Sequence, residues 1–272
     1  MTGYPQIARA LRDDRAFSSD RIRPFIDRKL SGPDTDPKVR AAFDVLANWL
    51  VFNDKPKHLR LRKLINQAFM SKAMERLAGR FAELFRNRDR RCARFRRDRS
   101  ASGRGRAVLG LRHFRNAGGV PPEDRYRFAD WHRLFGPIIG ASLDDASRYD
   151  LLAQGVEELL IYVRTLLARY RETPGDNLLS ELIRARDAEE ALSEEEILAT
   201  CTLVLFAGSE TTANLICNAI IALIEHPGEM ARLRNGEVAA GPAVEEFLRY
   251  NGSGKAITRV VREGTDALGG CR

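Results

Sequence analysis

The chain has 272 residues, four cysteines, a formal net charge of +8 and an ordinary share of apolar residues, a size that fits one large domain or two small ones. No apolar run has the uncharged length of a membrane span, and the N-terminus lacks the basic-then-apolar order of a signal peptide. The cysteines have no disulfide or CxxC spacing, so we expect a soluble cytoplasmic protein.

The positive charge is confined to one segment. Residues 86–115 carry twelve arginines against two acids, Asp89 and Asp98, a local +10 that leaves −2 for the remainder of the chain. The segment has almost no periodic apolar face, whereas helical patterns precede and follow it. A basic patch can bind nucleic acid, but this one has little aromatic interleaving and no signature of an RNA- or DNA-binding fold.

The elements before this segment are predicted from helical periodicity and turn residues. In chain order they are a short helix over 4–11, a loop at 17–20, a turn at 31–34, a helical or mixed segment over 38–52, and a longer helix after Pro56. His58 and Arg62 lie four residues apart and share a face of that longer helix. Such donors could bind a carboxylate or a phosphate, although the two residues alone are more typical of a solvated basic face.

The longest apolar-rich stretch is a predicted helix over 194–225, preceded by a helix start at 121–124 and helices over 146–171 and 178–186. Ser193 and Glu196 have the spacing of a capping box at its start. The helix is apolar nearly all round, which predicts that it is buried. Its centre, however, reads Ala207-Gly208-Ser209-Glu210-Thr211-Thr212. An acid beside a hydroxyl can pass a proton in a dry site, and a polar stripe against a neighbouring helix is the alternative.

The last part of the chain predicts a helix over 242–250, then a β-branched strand and hairpin over 256–269. Glu246 and Arg249 lie side by side at i,i+3 spacing. Taken alone, they would form an exposed ion pair that contributes little, and Arg259 would be a single charge on a strand.

Four motifs occur in a particular order: D-x-P-x-H-x-x-x-R at 54–62, A-G-x-E-T-T at 207–212, E-x-x-R at 246–249 and T-R-V at 258–260. Together with GVPPEDRYRF and ALSEEEILATCTLVLFAGSETTANLI, they resemble the bacterial cytochrome P450 family of haem-thiolate monooxygenases. The resemblance covers about 1–85 and 120–272. It implies a mainly α fold with minor β, present here as one incomplete domain over 1–272 in which residues 86–118 are unmatched.

The resemblance implies roles on the oxygen side of the haem. Ala207 and Gly208 correspond to the positions where the central helix opens to admit O2. Glu210 and Thr211 correspond to the acid–alcohol pair that helps to deliver protons to the bound oxygen. The implied partners are a small organic substrate, O2 and a ferredoxin-type electron donor, without a membrane.

The resemblance also implies residues that hold the cofactor, haem b. His58, Arg62 and Arg259 correspond to the donors that bind the haem propionates. Glu246 and Arg249 correspond to a buried structural clamp behind the haem. No residue is assigned as a metal ligand.

Three departures from the family pattern shape the functional expectation. The sequence has no F-x-x-G-x-x-x-C-x-G loop, which carries the thiolate ligand of the haem iron, and Cys271 lies in a hairpin-like tail. The start resembles a point inside the family's sequence. Residues 86–118 are interpreted as an off-frame reading between frameshifts near Phe85 and Gly119.

We therefore expect a haem-dependent monooxygenase fold that is truncated at both ends and inactive as it stands, because the cysteine loop is missing. A non-catalytic pseudogene fragment is the direct alternative. A basic nucleic-acid-binding protein acting through 86–115 is the weaker one. Substrate contacts in the family come from variable loops, so no substrate is predicted.

Overall fold

The computed structural model describes residues 3–69, 119–124, 145–189 and 192–265, with five separate residues between 127 and 143. The arginine-rich segment, Cys92 and Cys271 lie outside the described residues. The described elements are α1 (Tyr4–Arg12), β1 (Phe17–Ser18), α2 (Arg23–Lys29), α3 (Pro37–Ala47), α4 (Lys57–Phe69), α5 (Tyr149–Glu172), α6 (Leu178–Glu189), α7 (Glu194–Glu225), α8 (Pro227–Arg234), α9 (Ala240–Asn251) and β2 (Val260–Val261), with 3-10 turns at Leu50–Phe52, Pro122–Asp124 and Ala146–Arg148. The predicted mainly α fold with minor β is confirmed.

Helix α7 is the long central helix, and its bounds match the predicted ones. The capping box is formed: the Ser193 hydroxyl accepts from the Glu196 backbone N–H at 3.2 Å, and the Glu196 carboxylate accepts from the Ser193 N–H at 3.2 Å. These two bonds satisfy backbone donors that the first turn of a helix leaves unpaired. Pro227 then begins α8, where its missing N–H removes no helical bond.

The core lies between α3, α4, α5, α6 and the first half of α7. Helix α5 contributes an apolar stripe with helical spacing that includes Leu152, Val156, Leu159 and Val163, all buried. On the other side of the core, the Phe25 and Phe43 rings stack with centroids 5.2 Å apart. Burial of these stripes, rather than helix propensity alone, holds the helices in place.

The expectation that α7 is buried along its length is wrong for its second half. Residues 197–206 are all buried, whereas Ala207 and most residues after it are exposed or half-buried. Four isoleucines in this second half are more than a third exposed, namely Ile216, Ile220, Ile221 and Ile224. The physical reason is that α5 and α6 meet α7 at its start, through ion pairs to Glu194, whereas α9 meets its second half at Asn218 and leaves the four isoleucines exposed.

The predicted loop at 17–20 is also partly wrong, because Phe17 and Ser18 form a strand. Phe17 pairs with Val261 and Ser18 with Val260 in an antiparallel ladder. The predicted strand near Val260 is therefore confirmed, but its described partner is β1 and not the residues that follow it. A strand of two residues has too few positions to show a period in sequence. None of the described helices combines the length and apolar character that a membrane span requires.

Candidate functional site

The polar break of α7 lies where the helix leaves the core. Ala207 is exposed and Gly208 is half-buried, directly after Phe206, which ends the buried run 197–206. The Thr211 hydroxyl is exposed and donates to the Ala207 carbonyl oxygen at 2.8 Å, one helical turn earlier. Glu210 adjoins Thr211 in the same turn, and its side chain lies outside the described part of the structure. The break therefore opens onto a surface of the described structure instead of interrupting its core.

Helix α4 carries His58 and Arg62 on a face beside its buried stripe. His58 is half-buried, and its Nδ1 lies 3.2 Å from the Leu50 carbonyl oxygen, which holds the ring. Arg62 is exposed along a shallow surface depression and makes no ion pair with any residue of the described ranges. The two predicted donors are thus neighbours, and the guanidinium remains open to an anion.

Glu196 joins α4 to α7. Arg60 donates to both of its carboxylate oxygens, with Nη1 2.9 Å from Oε2, and the Lys57 Nζ lies 3.7 Å from Oε1. The Glu196 side chain is only 12% exposed. Burial raises its pKa, but hydrogen bonds from Arg60 and from the Ser193 N–H, with the nearby positive charges, outweigh burial, and the net pKa is lowered. This carboxylate remains ionised and bound to α4.

Arg259 lies on a different surface from Arg62. It is half-buried, and its Nη1 donates to the Thr258 carbonyl oxygen at 3.0 Å. It lines a cleft of about 590 Å³ between α1 and residues 254–261. The structure therefore does not bring Arg259 and Arg62 into one described cavity.

Asp54 links the two regions that carry these donors. Its carboxylate accepts from the Ser19 N–H at 2.8 Å, from the Ser18 hydroxyl, and from Arg262 Nη2 at 2.6 Å. The acid that heads the first motif thus ties the start of α4 to both strands of the small sheet. The motif alone does not predict these hydrogen bonds of Asp54, since its partners come from positions far away in the chain.

Glu246 and Arg249 form the predicted ion pair, but the pair is not buried. Two bonds of 2.6 Å join the guanidinium to the carboxylate, while the side chains are 54% and 71% exposed. The hydrogen bond from Arg249, with its charge, lowers the pKa of Glu246. The expectation of a buried clamp is therefore wrong for the described structure, where both groups of the pair are largely solvated.

Both described cysteines lie on α7. Cys201 is fully buried in the first half of α7, and this burial raises its pKa to about 12. Cys217 is half-buried on the same helix. A metal-binding thiolate needs a lowered pKa and an accessible position. Among the described residues, no group of three or more His, Cys, Asp or Glu side chains could hold a metal ion.

The sequence and the fold both match known proteins. The family model named cytochrome P450 matches residues 128–240. The chain is 32% identical to cytochrome P450 CYP107DY1 of Priestia megaterium over 246 residues, 90% of this chain and 57% of that protein. It is 34% identical to the vitamin D(3) 25-hydroxylase of Pseudonocardia autotrophica, covering 92% and 58% of the two chains. The crystal structure of myxobacterial cytochrome P450 CYP267B1 with myristic acid superposes with a TM-score of 0.75 at 30% identity, covering 98% of this chain and 64% of that one.

A long central helix with a polar break, packed in a helical core and followed by an E-x-x-R helix, defines a cytochrome P450-like fold. The chain belongs to the bacterial cytochrome P450 family. It spans between 57% and 65% of the length of three of its curated relatives.

Haem is the cofactor of this family, and the described residues fit it on one side. His58 and the unpaired Arg62 can receive carboxylates such as propionates, because a guanidinium binds them with charge-assisted bonds. The iron side does not fit, since the described cysteines lie on α7 and the buried one has a raised pKa. Among the described residues, His58 and Arg62 are therefore compatible with carboxylate groups of a haem, whereas the fully buried Cys201 is not suited to be an axial ligand.

Proposed function

We propose that this chain forms the oxygen-side part of a haem-dependent monooxygenase that acts on a small organic substrate in the cytoplasm. It would use haem b, O2 and electrons from a ferredoxin-type donor. The observation that carries the proposal is the position of the A-G-x-E-T-T break. It begins at the residue where α7 passes from its buried run to an open one, so the exposed Thr211 and Thr212 lie where a ligand can reach them.

The proposed roles follow from the chemistry of each group. Ala207 and Gly208 have little or no side chain, so a flat group can approach the helix closely. Glu210 and Thr211 are an acid and an alcohol in sequence, and such a pair can hold and pass a proton. To do so, the Thr211 hydroxyl must release the Ala207 carbonyl oxygen that it now contacts. When bound, haem supplies the activation of O2.

The remaining residues would hold the cofactor and the fold around it. His58, Arg62 and Arg259 are proposed to bind the propionates. Glu246 and Arg249 are proposed to be structural, as an exposed ion pair within α9.

We also propose that these 272 residues are inactive by themselves. The sequence contains no F-x-x-G-x-x-x-C-x-G loop, and the fully buried described cysteine has a raised pKa. We expect the purified chain, mixed with haem, reduced and exposed to carbon monoxide, to lack the red-shifted Soret band of thiolate-ligated haem. The Pseudonocardia vitamin D(3) 25-hydroxylase is the positive control. A red-shifted band from this chain would overturn the proposed inactivity.

A non-catalytic fragment with no haem-related site is the competing proposal, and binding distinguishes the two. We expect the double variant H58A/R62A to bind haem several-fold more weakly than the wild type, because it loses both neighbouring propionate donors of α4. The control variant R164A removes an exposed arginine of α5 and should bind as the wild type does. Equal binding by all three proteins would favour the fragment.

A further inference from the structure

Helix α4 has two cationic edges, one on each side of its buried stripe. Leu61, Leu64 and Ala68 form the stripe. At about 100° per residue, Lys57 falls in line with the stripe at its N-terminal end. Arg60 falls on one side of the stripe, and His58 and Arg62 fall on the other. The two edges are in different states: the first is bound to Glu196, and Arg62 on the second has no ion-pair partner among the described residues.

The Glu196 contact joins two rigid elements. Glu196 is the third residue of α7, and its carboxylate also closes the capping box with Ser193. Its position is therefore set by the helix itself and not by a flexible loop. Arg60 binds it through two nitrogens, and such a two-point contact defines direction as well as distance.

A second contact fixes the chain just before α4. The Trp49 indole N–H donates to the Thr202 hydroxyl of α7 at 3.1 Å in the buried core, and the Lys57 Nζ donates to Asn48 Oδ1 at 2.7 Å. The start of α4 is thus tied to α7 at Glu196 and, through the preceding turn, at Thr202. With the stripe packed and one edge held, rotation of α4 about its axis is restricted. Because the rotation is restricted, the direction in which His58 and Arg62 face is also fixed.

From this geometry we propose that Glu196 is a positioning residue for anion binding by α4. Its carboxylate binds Arg60 and Lys57 and thereby fixes the rotation of α4 about its own axis. In that rotation, His58 and Arg62 face a dicarboxylate ligand. The inference rests on the proposed function, because the dicarboxylate is the propionate edge of a porphyrin. Glu196 itself does not touch that ligand.

The direction in which the affinity for an anion changes, when Glu196 loses its charge, distinguishes a positioning role from a purely electrostatic one. Removing a negative charge near a cationic site should strengthen the binding of an anion by Coulomb attraction alone. Loss of positioning should weaken it, because the donors no longer share one orientation. The test compares E196Q with E194Q. Glu194 lies two residues away in the same first turn and pairs with Arg171 and Arg186 instead of α4.

The probe is iron-free protoporphyrin IX, titrated against the full chain by quenching of tryptophan fluorescence. We expect E196Q to weaken binding about threefold to tenfold, E194Q to leave it unchanged or slightly tighter, and R60K, which keeps the charge but loses the two-point contact, to fall between. Hydrogen exchange supplies a readout without ligand: the amides of α4 should exchange faster in E196Q than in E194Q.

The outcomes are distinguishable from those that test the proposed function. If the wild type binds no porphyrin, the proposed function fails, and the positioning role for this ligand fails with it. If the wild type binds and E196Q binds as well or better, with unchanged exchange in α4, only the positioning role is overturned. Equal weakening by E196Q and E194Q would also overturn it, since both remove the same charge from the α7 N-terminus.

Discussion

Two threonines on α7 show how the same side chain takes different tasks in the two halves of one helix. Thr202 is buried, accepts from the Trp49 indole N–H and donates to the Ala199 carbonyl oxygen at 2.8 Å. Thr211 is exposed and contacts only the Ala207 carbonyl oxygen among the described residues. A residue whose only described hydrogen bond is to its own helix contributes little to folding.

The T202A substitution should therefore destabilise the chain much more than T211A. T202A leaves the indole N–H without its partner in the core, which costs about 1–3 kcal/mol. T211A should be neutral or stabilising by a few tenths of a kcal/mol, because alanine has the higher helix propensity. Urea unfolding measures both. A loss above about 1 kcal/mol in T211A would show that Thr211 has a packing role that its described contacts do not explain.

Glu196 predicts a defined dependence of stability on acid. Its folded-state pKa lies below the ordinary value of 4.5, so its contribution to stability is present above that value and is lost as the pH falls through the folded pKa. Arg60 and Lys57 face it from α4, and Ser193 and Glu195 from its own turn. Because Arg60 is 44% exposed and screened by water, we expect E196Q to cost only about 1 kcal/mol at pH 7.

Thermal unfolding from pH 7 to pH 3 measures this effect as the difference between wild type and E196Q. The difference should be constant at neutral pH and should shrink below about pH 4.5. Because other carboxylates titrate in both proteins, the difference is the informative quantity. A difference that stays constant down to pH 3 would contradict the ionised pair.

Helix α7 is the element in which the apolar sequence pattern and the observed burial disagree most. Its apolar residues continue with similar density from Ile197 to Ile224, yet only the first half is buried in the described structure. Burial depends on which elements pack against each half: α5 and α6 meet α7 at Glu194, and α9 meets it at Asn218.

A pair of substitutions, one in each half of α7, checks this division. L205A removes a side chain that is 1% exposed, and such a cavity costs about 2–5 kcal/mol. I220A removes one that is 46% exposed, so its cost should stay within about 1 kcal/mol. Chemical denaturation of the two variants provides the comparison. Similar costs would mean that something covers the second half of α7 in solution.

At the scale of the whole molecule, the net positive charge and the described helices belong to different segments of the chain. The excess of positive charge belongs to residues 86–115, whereas the rest of the chain carries −2 and contains the helices of the family fold.

Removing residues 86–115 tests both interpretations of the segment. If it is an off-frame reading, neither the wild type nor the deletion variant should bind oligonucleotides beyond weak, non-specific, salt-sensitive contact, and one of the other reading frames of the coding DNA should encode an amphipathic helix there. Specific binding that the deletion abolishes would favour a nucleic-acid-binding protein.

The sequence by itself determined most of the helices, the α7 bounds, the capping box and the family, because each depends on residues close together in the chain or on motifs in a certain order. Helix α2 was not predicted. Only the tertiary structure decided that β1 pairs with β2, that Asp54 and Glu196 fasten α4 at its start, and that Glu246 and Arg249 are exposed. Pairing and burial depend on groups that arrive from distant parts of the chain. The periodicity of one segment carries information about its own face but not about the element that covers it.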